Sequence, residues 1–286
     1  MSNFDISATP AAGPSPARPR TDLRKHENFH SEFLEHDRTL IVYLPPGYES
    51  SESHYPVLYM HDGQNLFDPA TAFAGNEWRA DETAEDLINA GEVEPLIIVG
   101  IYNTGEHRIE EYTPSRDRKL GGGHADWYGR MLVEEIKPFI ERNYRTLQGP
   151  DNTGLGGSSL GGLLSLYLGI IHPRIFGKLA VLSPSVWWNN RAILKLIARL
   201  KAKPELKIWL DMGTCEGGMS LEDTERLRDV LESRGFREDK DLKYSEIEGA
   251  VHNESAWAER VGPMLKYLFP AKSAASRPRP APRSQS

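Results

Sequence analysis

The sequence predicts an α/β fold in which a mainly parallel sheet is covered by helices on both faces. Short apolar runs alternate with amphipathic segments over residues 21–270, as expected when covering helices follow the strands of one sheet. A strand, a glycine-rich turn and an apolar helix follow one another between residues 152 and 171. The 286 residues are enough for one large domain of this class. Because ligands of such sheets bind beyond the carboxyl ends of the strands, the loops that follow the strands hold the candidate functional residues.

The predicted strands begin with a hairpin and continue as short runs. Residues 27–33 and 39–44 flank the polar turn 35–38, which is the pattern of two antiparallel strands. Most of the later runs are apolar without alternation, which is typical of strands buried on both faces. The later strands are predicted at residues 56–60, 96–101, 152–155, 178–182, 207–211 and 242–247.

Helices are predicted at residues 81–90, 126–142, 160–171, 191–200, 221–233 and 254–269. Asp126 is a candidate N-cap for the second of these, and Pro138 lies within its last turns. The third is apolar on nearly all sides, as expected of a helix packed deep beside a sheet. Pro263 predicts a bend in the last helix. The polar, glycine-rich residues 103–123 predict an excursion of the chain above the sheet.

The composition argues against several classes of function. The formal net charge is −7 and the sequence pI is about 5.8, which disfavours nucleic acid or an anionic membrane as the main partner. Cys215 is the single cysteine, so no internal disulfide can form. No apolar run approaches the length of a membrane span, and the N-terminus lacks the pattern of a secretory signal. These features predict a cytoplasmic protein, and they carry no signal for its oligomeric state.

The two ends of the chain differ in composition from the rest. Residues 1–20 are rich in Ala, Pro and Ser, and residues 271–286 are similar but basic. Neither end shows hydrophobic periodicity, so both are expected to be disordered tails. No internal repeat or linker interrupts residues 21–270, which predicts a single folded domain there.

The segment Gly157-Ser158-Ser159-Leu160-Gly161 fits the pattern G-x-S-x-G, in which a nucleophilic serine stands on a sharp turn between a strand and a helix. Such a turn strains the backbone at Ser159, so the positions two before and two after it must carry almost no side chain. Gly157 and Gly161 meet that requirement. The N-terminus of the following helix would stabilise negative charge that develops beside Ser159. A glycine-rich turn without chemistry is the alternative, and the strand and helix on either side disfavour it.

A nucleophilic serine needs a base, and in this arrangement the chain order is Ser, acid, His. Of nine histidines, His172 and His252 follow Ser159. His172 lies at the far end of the apolar helix, whereas His252 follows the last predicted strand. We therefore assign His252 as the general base toward Ser159 and then as the general acid toward the leaving group. His61 is disfavoured as a base, because it precedes Ser159 in the sequence.

The acid is expected beyond the strand at residues 207–211, where Asp211 and Glu216 are both available. Asp211 still belongs to the strand, where its side chain would form hydrogen bonds with the backbone. Glu216 lies past the turn at Gly213, with room to reach His252. The position at the strand end therefore favours Glu216 as the residue that orients the imidazole and stabilises its protonated form.

Acyl transfer also needs an oxyanion hole. One N–H is expected from Leu160, the residue after the nucleophile, and a second from the loop at residues 61–67. Gly63 would let the backbone turn so that the N–H of Gln64 points inward. The alternative for this loop is an ordinary Asp-Gly turn.

Six segments together resemble one family: Y-M-H-D-G-Q-N-L-F-D, E-Y-T-P at 111–114, G-G-S-S-L-G-G, L-S-P-S-V-W-W, D-M-G-T-C-E and H-N-E-S-A-W. Over roughly residues 25–270 the chain is similar to the "putative esterase" family of α/β-hydrolases, which includes enterochelin esterases, esterase D-like enzymes, family 1 carbohydrate esterases and mycolyltransferases. The resemblance implies an eight-stranded-type hydrolase sheet without a large separate lid. Carried over by position, it implies the triad Ser159, Glu216 and His252, with Gln64 and Leu160 in the oxyanion hole.

The function that these residues predict is a serine carboxylic-ester hydrolase that works through an acyl-enzyme on small-molecule esters or siderophore-type lactones. A feruloyl or acetyl carbohydrate esterase and an acyltransferase are alternatives with the same chemistry. The absence of a secretory signal argues against plant-cell-wall polysaccharide as the substrate. A binding protein on an inactive hydrolase scaffold is the least favoured reading, because all three triad residues are present.

Other candidate residues carry weaker signals. Trp187 and Trp188 follow the strand at residues 178–182, where they would form either a substrate wall or part of the core. Arg79, Arg108 and Arg116 could bind an anionic substrate, although nothing singles one out. The sequence shows no metal-ligand spacing of His and Cys and no phosphate loop, so no metal and no cofactor are predicted.

Overall fold

The computed structural model describes residues 21–271. The tails predicted at residues 1–20 and 271–286 lie outside the described residues, apart from Ala271. The strands of the described part are β1 Asp22–Phe29, β2 Arg38–Leu44, β3 Val57–His61, β4 Ile97–Ile101, β5 Thr153–Ser158, β6 Lys178–Leu182, β7 Lys207–Gly213 and β8 Leu242–Ile247. They form one eight-stranded sheet in the order β1-β2-β4-β3-β5-β6-β7-β8. The pairs β1–β2 and β2–β4 are antiparallel, and all other neighbours run parallel.

The helices of the described residues are α1 Ala80–Asn89, α2 Arg108–Tyr112, α3 Ala125–Arg130, α4 Lys137–Asn143, α5 Leu160–Ile171, α6 Trp188–Ala198, α7 Ser220–Ser233 and α8 Glu254–Leu268. A π-helical segment, Met131–Ile136, joins α3 to α4. None of the helices within residues 21–271 combines the length and the apolar character needed to span a bilayer.

The sheet divides the core into two layers, because successive side chains of a strand point to opposite faces. In β3, Val57 and Tyr59 pack with the side chains of α3 to α7 on one face. Leu58 and Met60 pack with those of α1 and α8 on the other. The sheet is thus covered on both faces, as the unbroken apolar runs of the sequence predict.

The hairpin is present as predicted, but the predicted bounds of its first strand are wrong. β1 spans Asp22–Phe29 rather than residues 27–33, and its pairing with β2 shifts between His26 and Phe29. Residues 30–37 form a loop instead, which Ser31 ties to the helix layer by donating from Oγ to Oε2 of Glu135 at 2.6 Å. The apolar side chain of Phe33 packs against the core from this loop, so its hydrophobicity does not mark a strand.

The helix predicted at residues 126–142 is interrupted. Pro138 has no N–H to donate to the carbonyl one turn back, and its ring crowds that carbonyl, so the turns before it widen into the π-helical segment. Asp126 is not the N-cap, a position that His124 occupies. Asp126 instead accepts a hydrogen bond from the hydroxyl of Tyr167 at 2.7 Å, which ties α3 to α5.

Candidate active site

Ser159 lies in the one-residue turn between β5 and α5. Its backbone has φ 58° and ψ −120°, a conformation that residues other than glycine rarely adopt. The neighbouring glycines make this turn possible. A Cβ on Gly157 would lie 3.1 Å from the carbonyl carbon of Gly161, and a Cβ on Gly161 would lie 3.3 Å from Oδ2 of Asp62. The strain that the sequence pattern predicts is therefore located at Ser159.

His252 reaches Ser159 from the loop between β8 and α8. Its Nε2 lies 3.0 Å from Oγ of Ser159, across 93 residues of sequence. Trp257 supports the imidazole edge-on, with 4.8 Å between ring centroids. The His252 side chain is 41% exposed, so part of the ring is open to solvent.

Glu216 holds the other side of His252, with 2.6 Å between Oε2 and Nδ1. Its second oxygen, Oε1, accepts hydrogen bonds from Ser183 Oγ at 2.6 Å, from the backbone N–H of Gly213 at 2.7 Å and from Arg260 Nη2 at 3.2 Å. Burial opposes ionisation of Glu216, but these donors together with His252 outweigh it and hold its pKa below the usual range. An ionised carboxylate on Nδ1 keeps the proton there, so the lone pair of the neutral ring is at Nε2.

Asp211, the alternative acid, lies beneath this arrangement with its side chain fully buried. Its oxygens accept hydrogen bonds from Nε1 of Trp209 at 2.6 Å, from Nη1 of Arg260 at 2.8 Å and from the backbone N–H of Ser183 at 3.2 Å. Burial raises the pKa of Asp211, and Arg260 opposes that rise. The carboxylate thus accepts hydrogen bonds from a backbone N–H and from a buried cation, as expected for a side chain that still belongs to the strand.

The loop that follows β3 packs against the turn at Ser159. Asp62, in the left-handed conformation, begins a short 3-10 turn over Gly63–Asn65. Asp62 accepts two hydrogen bonds from Arg108 and one from Asn103, and its backbone N–H donates to the hydroxyl of Tyr112. Burial opposes ionisation of Asp62, but the Arg108 guanidinium outweighs it and lowers the pKa. The loop that carries Gln64 is therefore held rigidly.

Of the two residues predicted for the oxyanion hole, Leu160 directly follows Ser159, and Gln64 lies in the loop after β3. Leu160 is the first residue of α5, so its N–H has no acceptor one turn back within the helix. Gln64 lies in the turn that Asp62 begins, and its side-chain Oε1 accepts a hydrogen bond from the N–H of Asn103 at 3.3 Å. A Cβ on Gly63 would lie 2.4 Å from the carbonyl carbon of Gly100, which is why glycine precedes Gln64.

The other candidates of the sequence lie elsewhere or serve other contacts. His61 is fully buried, with Nδ1 3.0 Å from the hydroxyl of Tyr128, and burial lowers its pKa to about 3. His172 caps the far end of α5. Trp188 is buried, and its Nε1 donates to the carbonyl of Ser115 at 2.8 Å, so it supports residues 103–123.

Trp187 is 47% exposed at the carboxyl edge of the sheet, where a substrate could contact it. Of the three arginines, Arg108 is paired with Asp62, and Arg79 is paired with Glu82. The structure gives Arg116 no feature that marks it as a binding residue.

Ser185 is a site residue that the sequence reasoning missed. Its Oγ lies 3.2 Å from Oγ of Ser159, and the residue is buried. Ser185 follows β6, whose carboxyl end lies next to that of β5. The signal available in the sequence was the segment Ser183-Pro184-Ser185 at a predicted strand end, which is where functional side chains gather in a parallel sheet.

Comparison with known proteins relates this geometry to a family. The family described as "Putative esterase" matches residues 31–268. Uncharacterized protein YbbA of Bacillus subtilis is 29% identical over 252 residues, which cover 84% of this chain and 95% of YbbA. Ferri-bacillibactin esterase BesA of Bacillus subtilis is 30% identical over 176 residues, which cover 56% of this chain and 58% of BesA. The crystal structure of the enterobactin esterase FES from Shigella flexneri in the presence of enterobactin shares the fold, with a TM-score of 0.73 and 20% identity over 88% of this chain and 60% of that one.

The family match extends from the loop before β2 to the last residue of α8, and so includes every strand that surrounds Ser159. The eight-stranded, mostly parallel sheet with helices on both faces is the α/β-hydrolase fold that the sequence predicts. The chain belongs to the "Putative esterase" family and is a carboxylic-ester hydrolase.

Proposed function

We propose that this protein hydrolyses esters through an acyl-enzyme on Ser159, with His252 as general base and acid and Glu216 as the residue that orients it. The observation that carries the proposal is the continuous series of hydrogen bonds from Ser159 Oγ through His252 to Glu216, with distances of 3.0 and 2.6 Å. A serine nucleophile, a base within hydrogen-bond reach and a third group that orients the base together define this chemistry.

In the acylation step, Oγ of Ser159 attacks the ester carbonyl while Nε2 of His252 takes the hydroxyl proton. The resulting oxyanion accepts hydrogen bonds from the backbone N–H groups of Leu160 and Gln64. The C–O bond to the alcohol then breaks, and the imidazolium of His252 gives its proton to the departing oxygen. Glu216 stabilises the imidazolium through Nδ1 during these steps.

In the deacylation step, water attacks the acyl carbonyl and gives a proton to His252. The bond between the acyl carbon and Oγ of Ser159 breaks, and the proton passes from His252 to Oγ. Acid leaves and the free enzyme returns. This sequence consumes one water molecule and needs no cofactor or metal.

The substrate we propose is a small-molecule ester or a siderophore-type lactone. The name of BesA supports this class, since that relative is a ferri-bacillibactin esterase. The exposed indole of Trp187 and the 41% exposure of His252 support an active-site entrance that is open to an ester in solution. We further propose that residues 21–270 form the esterase domain and that the protein is cytoplasmic.

The test is hydrolysis of a series of p-nitrophenyl esters, a feruloyl ester and a trilactone siderophore by the wild type and by Ser159→Ala. We expect the variant to lose turnover by several orders of magnitude, because the nucleophile is removed. Retained turnover would contradict the assignment of Ser159. A wild type that is labelled by a fluorophosphonate and acylates added alcohols in preference to water would be an acyltransferase. The absence of any label on Ser159 would favour a binding protein.

A further inference from the structure

Ser185 contacts the atom that the proposed mechanism makes reactive. Its Oγ lies 3.2 Å from Oγ of Ser159. Its own backbone N–H donates to the carbonyl oxygen of Ser159 at 3.0 Å, and its carbonyl accepts from the N–H of Trp188 at 3.1 Å. With the backbone tied to the nucleophile itself and the side chain buried, the Ser185 hydroxyl stays beside Oγ of Ser159.

The direction of this hydrogen bond follows from the tautomer of His252. The carboxylate of Glu216 can only accept, so Nδ1 of His252 donates to it and Nε2 carries a lone pair. Ser159 therefore donates its one proton to Nε2. Since that proton is committed, the Ser185 hydroxyl is the donor and a lone pair of Ser159 Oγ is the acceptor.

This arrangement uses three of the four tetrahedral directions around Oγ of Ser159. One is the bond to Cβ, one is the proton directed to His252, and one is the lone pair that faces Ser185. The fourth direction is the remaining lone pair, which is the one that can attack a carbonyl carbon. Ser185 thus fixes the orientation of the Ser159 hydroxyl as well as contacting it.

We propose that Ser185 is a further catalytic residue, whose hydroxyl donates a hydrogen bond to Ser159 Oγ as that atom leaves the acyl group. The inference rests on the proposed acyl-enzyme. Ser185 transfers no proton: the bond between the acyl carbon and Oγ breaks, and the proton that completes the Ser159 hydroxyl comes from His252.

The hydrogen bond accelerates the two half-reactions unequally. Only an interaction that is stronger in the transition state than in the starting state raises a rate. Before acylation, Oγ is a hydroxyl oxygen that already accepts from Ser185, so the transition state gains little. Before deacylation, Oγ is an ester oxygen, which is a weak acceptor, and it gains negative charge as the C–Oγ bond breaks. Ser185 therefore assists deacylation more than acylation.

The experiment measures both half-reactions with p-nitrophenyl acetate. Stopped-flow release of p-nitrophenol gives the acylation rate, and intact-mass spectrometry of the quenched enzyme gives the decay of the acetyl-enzyme. We expect Ser185→Ala to slow deacylation about tenfold, the effect of one hydrogen bond to a developing charge, and to slow acylation less than threefold. The acetyl-enzyme then accumulates, and kcat and KM fall together.

Two further variants separate this role from a structural one. Ser185→Cys keeps the shape and has only a weak donor, so it also slows deacylation more than acylation. Ser165→Ala removes another buried serine, whose Oγ donates to the carbonyl of Gly161 at 2.8 Å, and leaves both rates unchanged.

Equal effects of both Ser185 variants on the two rates, or no effect on deacylation, would overturn the inference. If the wild type forms no acetyl adduct on Ser159, the proposed acyl-enzyme itself fails, whatever the Ser185 variants do. If the wild type forms the adduct and only the Ser185 effect is absent, the proposed function stands without Ser185.

Discussion

Glu216 gives one carboxylate oxygen to His252 and keeps the other for three donors of the protein. An amide at this position has only one accepting oxygen, and without a negative charge it stabilises an imidazolium far less than a carboxylate does. We therefore expect Glu216→Gln to lower kcat by about 10³- to 10⁴-fold, measured with p-nitrophenyl acetate. Asp211→Asn is the matched variant, and its kcat per folded molecule should fall no more than about tenfold. A larger loss of kcat in Asp211→Asn than in Glu216→Gln would make Asp211 the acid of the triad.

The ion pair between Arg260 and Asp211 is buried on both sides, so its loss should destabilise the fold. Arg260→Met leaves the Asp211 carboxylate without its cation, and we expect the free energy of unfolding to fall by about 3–5 kcal/mol in urea titrations. Lys266→Met on the same helix is the control, because Lys266 pairs with Glu92 at the surface and should cost less than about 1 kcal/mol. If the free energy of unfolding fell equally in the two variants, burial of the Arg260–Asp211 pair would not determine its contribution to stability.

The lowered pKa of Asp62 makes part of the stability depend on pH. A carboxyl group whose pKa is lower in the folded state contributes stability above its ordinary pKa of about 4, and this contribution is lost as the pH falls through the folded value. We expect Asp62→Asn to be less stable than the wild type at pH 7 and the difference to shrink below pH 4. Urea titrations from pH 7 to pH 3 measure it. A difference that stays constant with pH would contradict the linkage.

Gly63 lies where no side chain fits, because a Cβ there would meet the backbone of β4 at 2.4 Å. We expect Gly63→Ala to displace the loop that carries Gln64 and to lower kcat by about 10²-fold, the effect of one lost oxyanion donor. Gly262→Ala is the control, since a Cβ at that helical position would make only an ordinary contact at 3.7 Å and should stabilise α8 slightly. Unchanged turnover of Gly63→Ala would remove Gln64 from the proposed oxyanion hole.

The sequence was sufficient for the parts of the fold that depend on local pattern. The helix Leu160–Ile171 and the strands Lys178–Leu182 and Leu242–Ile247 have the bounds that their residues predict, because proline, glycine and apolar periodicity mark them. The pairing of Ser159 with His252 was also predictable, since chain order and strand ends bring both to one edge of the sheet.

The parts that failed depend on contacts between distant residues. The predicted bounds of β1 were wrong because the apolar Phe33 packs against the core from a loop and not from a strand. That loop is held by the hydrogen bond from Ser31 to Glu135, which is 104 residues away in the sequence. The π-helical segment before Pro138 depends on how the chain accommodates the missing N–H, which composition does not specify. Ser185 was missed because its significance lies in a 3.2 Å distance to Ser159, and no spacing in the sequence encodes that distance.

Residues 103–123 are fastened to the body of the protein at α2. Glu111 forms a buried ion pair with Arg38 of β2, and Arg108 pairs with Asp62 beyond β3. These ion pairs anchor the segment on β2 and on the loop after β3, and the His252 side chain is 41% exposed beside Ser159. If Ser159 carries the acyl group that we propose, water can reach that group, and a competing alcohol would need its own binding site to react first. For the proposed acyl-enzyme, we therefore expect the anchored α2 to favour hydrolysis over transfer.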